Sequence, residues 1–139
     1  MAALIETHED RIVQAAGMAT QLRRGGKGLP LLVLHGELGL PGWAEYLQCL
    51  AGERDVIAPS LPGYGASERP DWIMSVHDLA AWVSWFLRDM KIATPIDVVG
   101  LSMGGWIAAE LAVANPGLFR RLVLAAPMGV KPAEGEIFD

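Results

Sequence analysis

The stretch Asp97-Val98-Val99-Gly100-Leu101-Ser102-Met103-Gly104-Gly105-Trp106 decides how this chain is read. A short apolar strand runs into a Gly-x-Ser-x-Gly turn and then into an alanine-rich helical segment reaching Ala114. A turn this tight drives the serine into a sparsely populated backbone conformation. That is tolerable only where the residues two before and two after it carry no side chain to strike strand or helix. Gly100 and Gly104 meet the demand. The serine hydroxyl is then lifted above the carboxyl end of the sheet, where the starting helix aims its free backbone N–H groups and positive dipole end. Ser102 is therefore the candidate nucleophile.

Upstream, Leu31-Leu32-Val33-Leu34 is a continuous apolar run expected to form a buried parallel strand, and it ends in His35-Gly36-Glu37-Leu38-Gly39. Between the two lies Asp55-Val56-Ile57-Ala58-Pro59-Ser60-Leu61-Pro62-Gly63-Tyr64-Gly65-Ala66-Ser67. These three segments, in this order, resemble the strand and His-Gly turn, the LPGxGxS loop and the nucleophile elbow of the α/β-hydrolase superfamily. The resemblance implies an oxyanion hole built from the backbone N–H of Met103 and that of Glu37, with Leu38 as the fallback second donor. Losing one such donor typically costs ~3 kcal/mol in the transition state. His35 is expected to hold the oxyanion loop. With Gly36, Leu38, Trp43, Tyr64 and Trp106 it forms the expected substrate pocket, Trp106 being the weakest member. The Glu37 carboxylate is read as a loop carboxylate turned to solvent in preference to a catalytic role.

The rest of the chain fits an alternation of strands and helices. Arg11–Ala16 and Met18–Arg23 flank Gly17 and read as a hairpin at an antiparallel sheet edge. Trp43, Tyr46, Leu47 and Leu50 fall on one apolar helix face, and Arg54–Ala58 is the next strand. Ser75 stands three residues before Asp78, a capping-box variant. The stripe Leu79, Trp82, Val83, Phe86, Leu87 and Met90 behind it is core rather than binding surface. Asn115-Pro116-Gly117 ends the elbow helix, and Arg121–Ala126 is the last strand. The expected fold is α/β, a three-layer and mostly parallel sheet with helices on both faces, an incomplete α/β-hydrolase fold. Residues 1–126 are read as the amino-terminal part of the core domain, and 127–139 as the start of a cap or connection.

Composition narrows the function. With 139 residues and a net charge of −5, the chain lacks the gathered lysine and arginine that nucleic acid or an anionic membrane would attract. No run has the apolar length of a membrane span, and the acidic amino terminus does not read as a secretory signal. Cys49 is the lone cysteine, read as a small apolar residue on a packed helix; it excludes an internal disulfide and fits a cytoplasmic setting. No Gly-x-Gly-x-x-Gly follows the first parallel strand, so a dinucleotide cofactor is not expected. Neither another cofactor nor a metal is implied.

A serine hydroxyl needs an imidazole within reach, and that imidazole needs an acid to fix its tautomer. His8 is read as a solvated arm residue, His35 as part of the oxyanion loop, and His77 as a surface residue in the first turn of a helix. Nothing in the spacing of Glu134, Glu136 and Asp139 marks a triad acid. By the resemblance, acid and histidine follow the nucleophile in chain order, so they are expected from further polypeptide or a partner chain. The isolated 139 residues are expected to turn over no ester. Serine rather than aspartate at position 102 points to acyl-enzyme chemistry on an ester-like or activated-ketone small molecule, as in the superfamily's small esterases and carbon–carbon bond hydrolases. The alternative is a non-catalytic remnant that binds a ligand or partner chain through an exposed sheet edge.

Overall fold

The computed structural model describes residues 8–131 of the 139. Most of the expected connection at 127–139, with Glu134, Glu136 and Asp139, lies outside the described residues. Strands β1 (His8–Ala15) and β2 (Met18–Gly25) form the expected antiparallel hairpin. The tight turn between them places Ala16 and Gly17 at positive φ. Then come β3 (Leu29–Leu34), helix α1 (Glu45–Ala51), β4 (Arg54–Pro59), α2 (Val76–Asp89), β5 (Ile96–Leu101), α3 (Met103–Ala114) and β6 (Phe119–Ala125).

The six strands form one sheet in the order β1-β2-β4-β3-β5-β6. Pairings from β4 through β3 and β5 to β6 are parallel, and β2 joins β4 antiparallel. Alternation along the central strands divides the core in two. Leu32, Leu34, Ile57 and Val98 face one side, where the buried stripe of α2 and the inner face of α3 cover them. Leu31, Val33, Val56 and Ala58 face the other, where Leu47 and Ala51 of α1 pack. This is the three-layer arrangement expected from the sequence.

Local sequence explains the helix limits. Ser75 caps α2 by accepting the Asp78 N–H at 3.2 Å, while the Asp78 carboxylate returns to the Ser75 hydroxyl and the Met74 N–H, both at 2.9 Å. Helix α3 is apolar almost all round, as suits a helix pressed on the sheet. Helix α1 departs from expectation. It is only seven residues long and turns Leu47 and Ala51 inward, which leaves Tyr46 and Cys49 exposed. Cys49 is thus a free surface thiol and not a packed apolar residue, because a helix this short buries one narrow stripe.

At the amino-terminal ends of the parallel strands, Asp97 is 5% exposed and gripped by two arginines. Arg120 donates to both carboxylate oxygens at 2.8 and 2.7 Å, and Arg54 adds a third bond at 2.8 Å. The hydrogen bonds and charge of Arg120, then of Arg54, hold the Asp97 carboxyl well below its ordinary range despite burial. A depressed folded value means that this stabilisation is complete above the unfolded value near about 4, and is lost as pH falls from there towards the folded value. Asp97→Asn is expected to cost about 2–3 kcal/mol at pH 7, at the low end for a broken buried ion pair because both arginines can rehydrate. Urea unfolding at pH 7 and pH 3.5 should show a steeper acid loss in the parent than in the variant.

At the far edge, β6 is bonded on one side to β5. Leu122 and Val123 are 39% and 54% exposed. Neighbouring strand residues point to opposite faces, so β6 shows some apolar surface on each, while Leu124 packs against the core. Among the described residues, no helix is long and apolar enough to cross a membrane.

Candidate active site

The site forms where β3 and β5 end side by side, Leu34 in register with Gly100. Ser102 stands between β5 and α3 with φ 51° and ψ −114°, a left-handed conformation that an L-residue adopts only under constraint. Surrounding bonds supply that constraint. The Ser102 N–H donates to the Ala125 carbonyl of β6 at 2.9 Å, and the Ser102 carbonyl accepts from Gly105, Met128 and Trp106 at 2.9, 3.1 and 3.2 Å.

Glycines let the pieces meet. A methyl group on Gly100 would lie 2.6 Å from the Gly105 Cα, and one on Gly104 would strike the end of β3, 2.6 Å from the Leu34 carbonyl carbon and 2.7 Å from the His35 oxygen. Gly36 passes so near that a Cβ there would sit 3.2 Å from the Ser102 Cβ.

His35 is buried and sets the His-Gly loop. Its Nε2 accepts the Leu61 N–H at 2.9 Å, which leaves Nδ1 to carry the proton and donate to the Gly36 carbonyl at 2.7 Å. Burial pushes the imidazole pKa down, so the ring stays neutral at pH 7 and pins the end of β3 to the loop after β4. Tyr64 meets His35 edge-on with ring centroids 4.8 Å apart, and its hydroxyl lies 3.9 Å from the Met103 sulfur.

Glu37 was expected to turn its carboxylate away, and the structure corrects this. The side chain is exposed, yet Oε2 accepts the Ser102 hydroxyl at 2.6 Å. That bond, followed by bonds from the backbone amides of Glu37 itself and Met103, pulls the Glu37 pKa down. Because Gly36 has no side chain, the two turns close up and a carboxylate at position 37 spans the gap to the serine. The adjacency of HGE and GLSMG in space carried no signal in the one-dimensional pattern.

Of the expected site residues, His35, Gly36, Glu37, Tyr64, Ser102 and Met103 are brought together. Leu38 sits beside them in the loop, 93% exposed. The two tryptophans have side-chain partners of their own. Trp43 stacks on His8 at 4.6 Å and donates from Nε1 to Gln48 at 2.8 Å. Trp106 donates to Glu110 at 3.2 Å and lines a cavity of about 250 Å³ with Met128, Gly129 and Val130, on the outer flank of α3. Of the other histidines, His77 is exposed and lies 3.9 Å from Glu110.

A sheet of this order, with a serine kinked ahead of a helix, defines an α/β protein of hydrolase type. The chain belongs to the α/β-hydrolase fold family, whose sequence model matches residues 30–138. It is 40% identical over 126 residues to 2-hydroxymuconate semialdehyde hydrolase of Pseudomonas sp. strain CF600, covering 86% of this chain and 44% of that protein. It is 34% identical over 126 residues to 2-hydroxy-6-oxo-2,4-heptadienoate hydrolase of Pseudomonas putida F1, covering 86% and 45%. Among solved structures, a membrane phospholipase A superposes with a TM-score of 0.83 at 28% identity, covering 93% of this chain and 43% of that one. A serine hydrolase of carbazole degradation, CarC, superposes with a TM-score of 0.78 at 29% identity, covering 88% and 49%. The chain thus spans somewhat less than half the length of the curated relatives it matches.

Proposed function

We propose that this chain carries the nucleophile and oxyanion hole of a serine hydrolase acting through an acyl-enzyme, with the triad acid and histidine supplied by further polypeptide or by a partner chain. The observation that carries this reading is the left-handed Ser102, kinked between β5 and α3 with its hydroxyl directed at the His-Gly loop, where it donates to the Glu37 carboxylate at 2.6 Å. The backbone amides of Met103 and Glu37 are the two donors proposed for the oxyanion that forms when this hydroxyl attacks. In the reaction, Oγ bonds to the substrate carbonyl carbon and its proton passes to the histidine. The carbonyl oxygen becomes an oxyanion between the two amides, and the leaving group departs with that proton. Water then releases the acyl group by the reverse proton path.

The similar proteins support one substrate class above the others. Two are named for hydrolysing 2-hydroxymuconate semialdehyde and a 2-hydroxy-6-oxo-dienoate, so an activated ketone cleaved at a carbon–carbon bond is the favoured substrate, ahead of a simple ester. A second reading, a non-catalytic remnant that docks a partner, draws on the partly exposed Leu122 and Val123 of β6. A fluorophosphonate probe separates the two. Incubated with the chain completed by its acid and histidine, the probe should label the peptide containing Ser102 and leave Ser102→Ala untouched. Labelling that persists in Ser102→Ala overturns the nucleophile assignment, and no labelling of the completed parent favours the docking module.

A further inference from the structure

The Ser102 hydroxyl has a proton acceptor in place, and it is a carboxylate. Oγ donates to Glu37 Oε2 at 2.6 Å, the length of a charge-assisted O–H···O⁻ bond and within the reach a general base needs. The three histidines are occupied elsewhere. His35 spends Nε2 on the Leu61 N–H and Nδ1 on the Gly36 carbonyl, His8 stacks on Trp43, and His77 lies 3.9 Å from Glu110. Tyr64 turns its hydroxyl to the Met103 sulfur. Ser102 itself is half-buried and Glu37 is exposed, so a reagent has a path to Oγ.

We propose that Glu37 is a catalytic base for Ser102, which gives the 139-residue chain a stoichiometric reaction with activated acyl and phosphonyl groups before any histidine is supplied. This rests on the reading of Ser102 as nucleophile. With a fluorophosphonate, Oγ bonds to phosphorus, the P–F bond breaks and fluoride leaves with its electron pair. The hydroxyl proton passes to the Glu37 carboxylate and from there to water. Once Oγ is esterified it donates no hydrogen bond, and the contact that aligned the carboxylate is gone. The chain reacts once. A carboxylate is a weaker base than an imidazole, and the bond from Ser102 pulls the Glu37 pKa down further. The gain therefore belongs at the low end of general-base catalysis, about a hundredfold. Its sign is decisive. As a charge alone Glu37 opposes the anion forming beside it, so neutralising it would speed the reaction; as a base it takes the proton, so neutralising it slows the reaction.

Labelling of the 139-residue chain by a fluorophosphonate, followed by intact mass, tests the proposal. The parent should be labelled at Ser102. Glu37→Gln keeps the backbone amide and the side-chain length, and at pH 7 it should be labelled about a hundredfold more slowly. The other titratable side chains facing the site are Tyr64 and His35, and burial keeps His35 neutral at this pH. Between about pH 7 and pH 8 the parent rate should stay level, because its base is fully ionised, whereas the variant, left to hydroxide, should gain about tenfold. A merely structural role for Glu37 would not change that profile. An equal or faster rate in Glu37→Gln, a parent rate that climbs with hydroxide, or a parent chain left unlabelled would overturn the base role. The nucleophile reading fails separately, if the enzyme completed by its acid and histidine carries the label elsewhere than on Ser102 or carries none.

Discussion

Glycine in place of Ser102 is expected to lower kcat/KM of the completed enzyme by about a millionfold, the scale on which removing a serine nucleophile acts. The same substitution should raise the unfolding free energy by about 1 kcal/mol. The two effects have one origin. A residue at φ 51° and ψ −114° carries strain that a side chain creates and that glycine escapes. The hydroxyl's bond to exposed Glu37 contributes too little to offset that relief. Ester turnover and urea unfolding of the same preparation measure both quantities. A variant that lost activity and stability together would show that the kink is not strained, and that Ser102 holds its place by contacts of its side chain.

The second large effect is expected at Gly104. Alanine there should destabilise the chain by about 4 kcal/mol or more, in the range that single substitutions rarely reach. Its methyl group would overlap the Leu34 carbonyl and approach the His35 oxygen to 2.7 Å. These are backbone atoms of a central strand, with no flexible side chain to yield. Helix α3 would have to lift from the sheet, opening the core around Ile107 and Ala108, both fully buried. Gly42 is the matched control. A methyl group there meets nothing within 4 Å, so Gly42→Ala should leave stability within about 0.5 kcal/mol. Thermal unfolding of both variants would test whether the cost at Gly104 is steric or a general property of losing a glycine.

The elbow was legible in the sequence because its requirements are local. A kinked serine needs small neighbours two residues to either side, and Gly100 and Gly104 stand there in any fold that makes the turn. The same holds for the Ser75 cap and for the hairpin at Ala16 and Gly17, where each residue type answers a demand of the adjacent backbone. What stayed hidden concerns side chains whose partners lie across the fold. Trp43 shares the spacing of an apolar helix face but precedes α1, and its ring is taken by His8. Trp106 lies in the first turn of α3, and its neighbours Met128 and Gly129 come from beyond β6. Glu37 looked like an ordinary loop acid because its partner is 65 residues away. Asp97 read as one more strand residue, since nothing in a linear pattern joins it to Arg54 and Arg120. Position along an element was readable from the sequence; pairing between elements was not.

The bare rim of the sheet makes this chain a mould. Along β6 the backbone direction is fixed by its parallel ladder with β5, and part of the apolar side chains of Leu122 and Val123 is exposed, one on each surface. Any strand laid against that rim has its slots for greasy and polar side chains dictated before it arrives. A sequence that cannot offer an apolar residue to each surface in turn would be refused by the rim, however well its ends were placed.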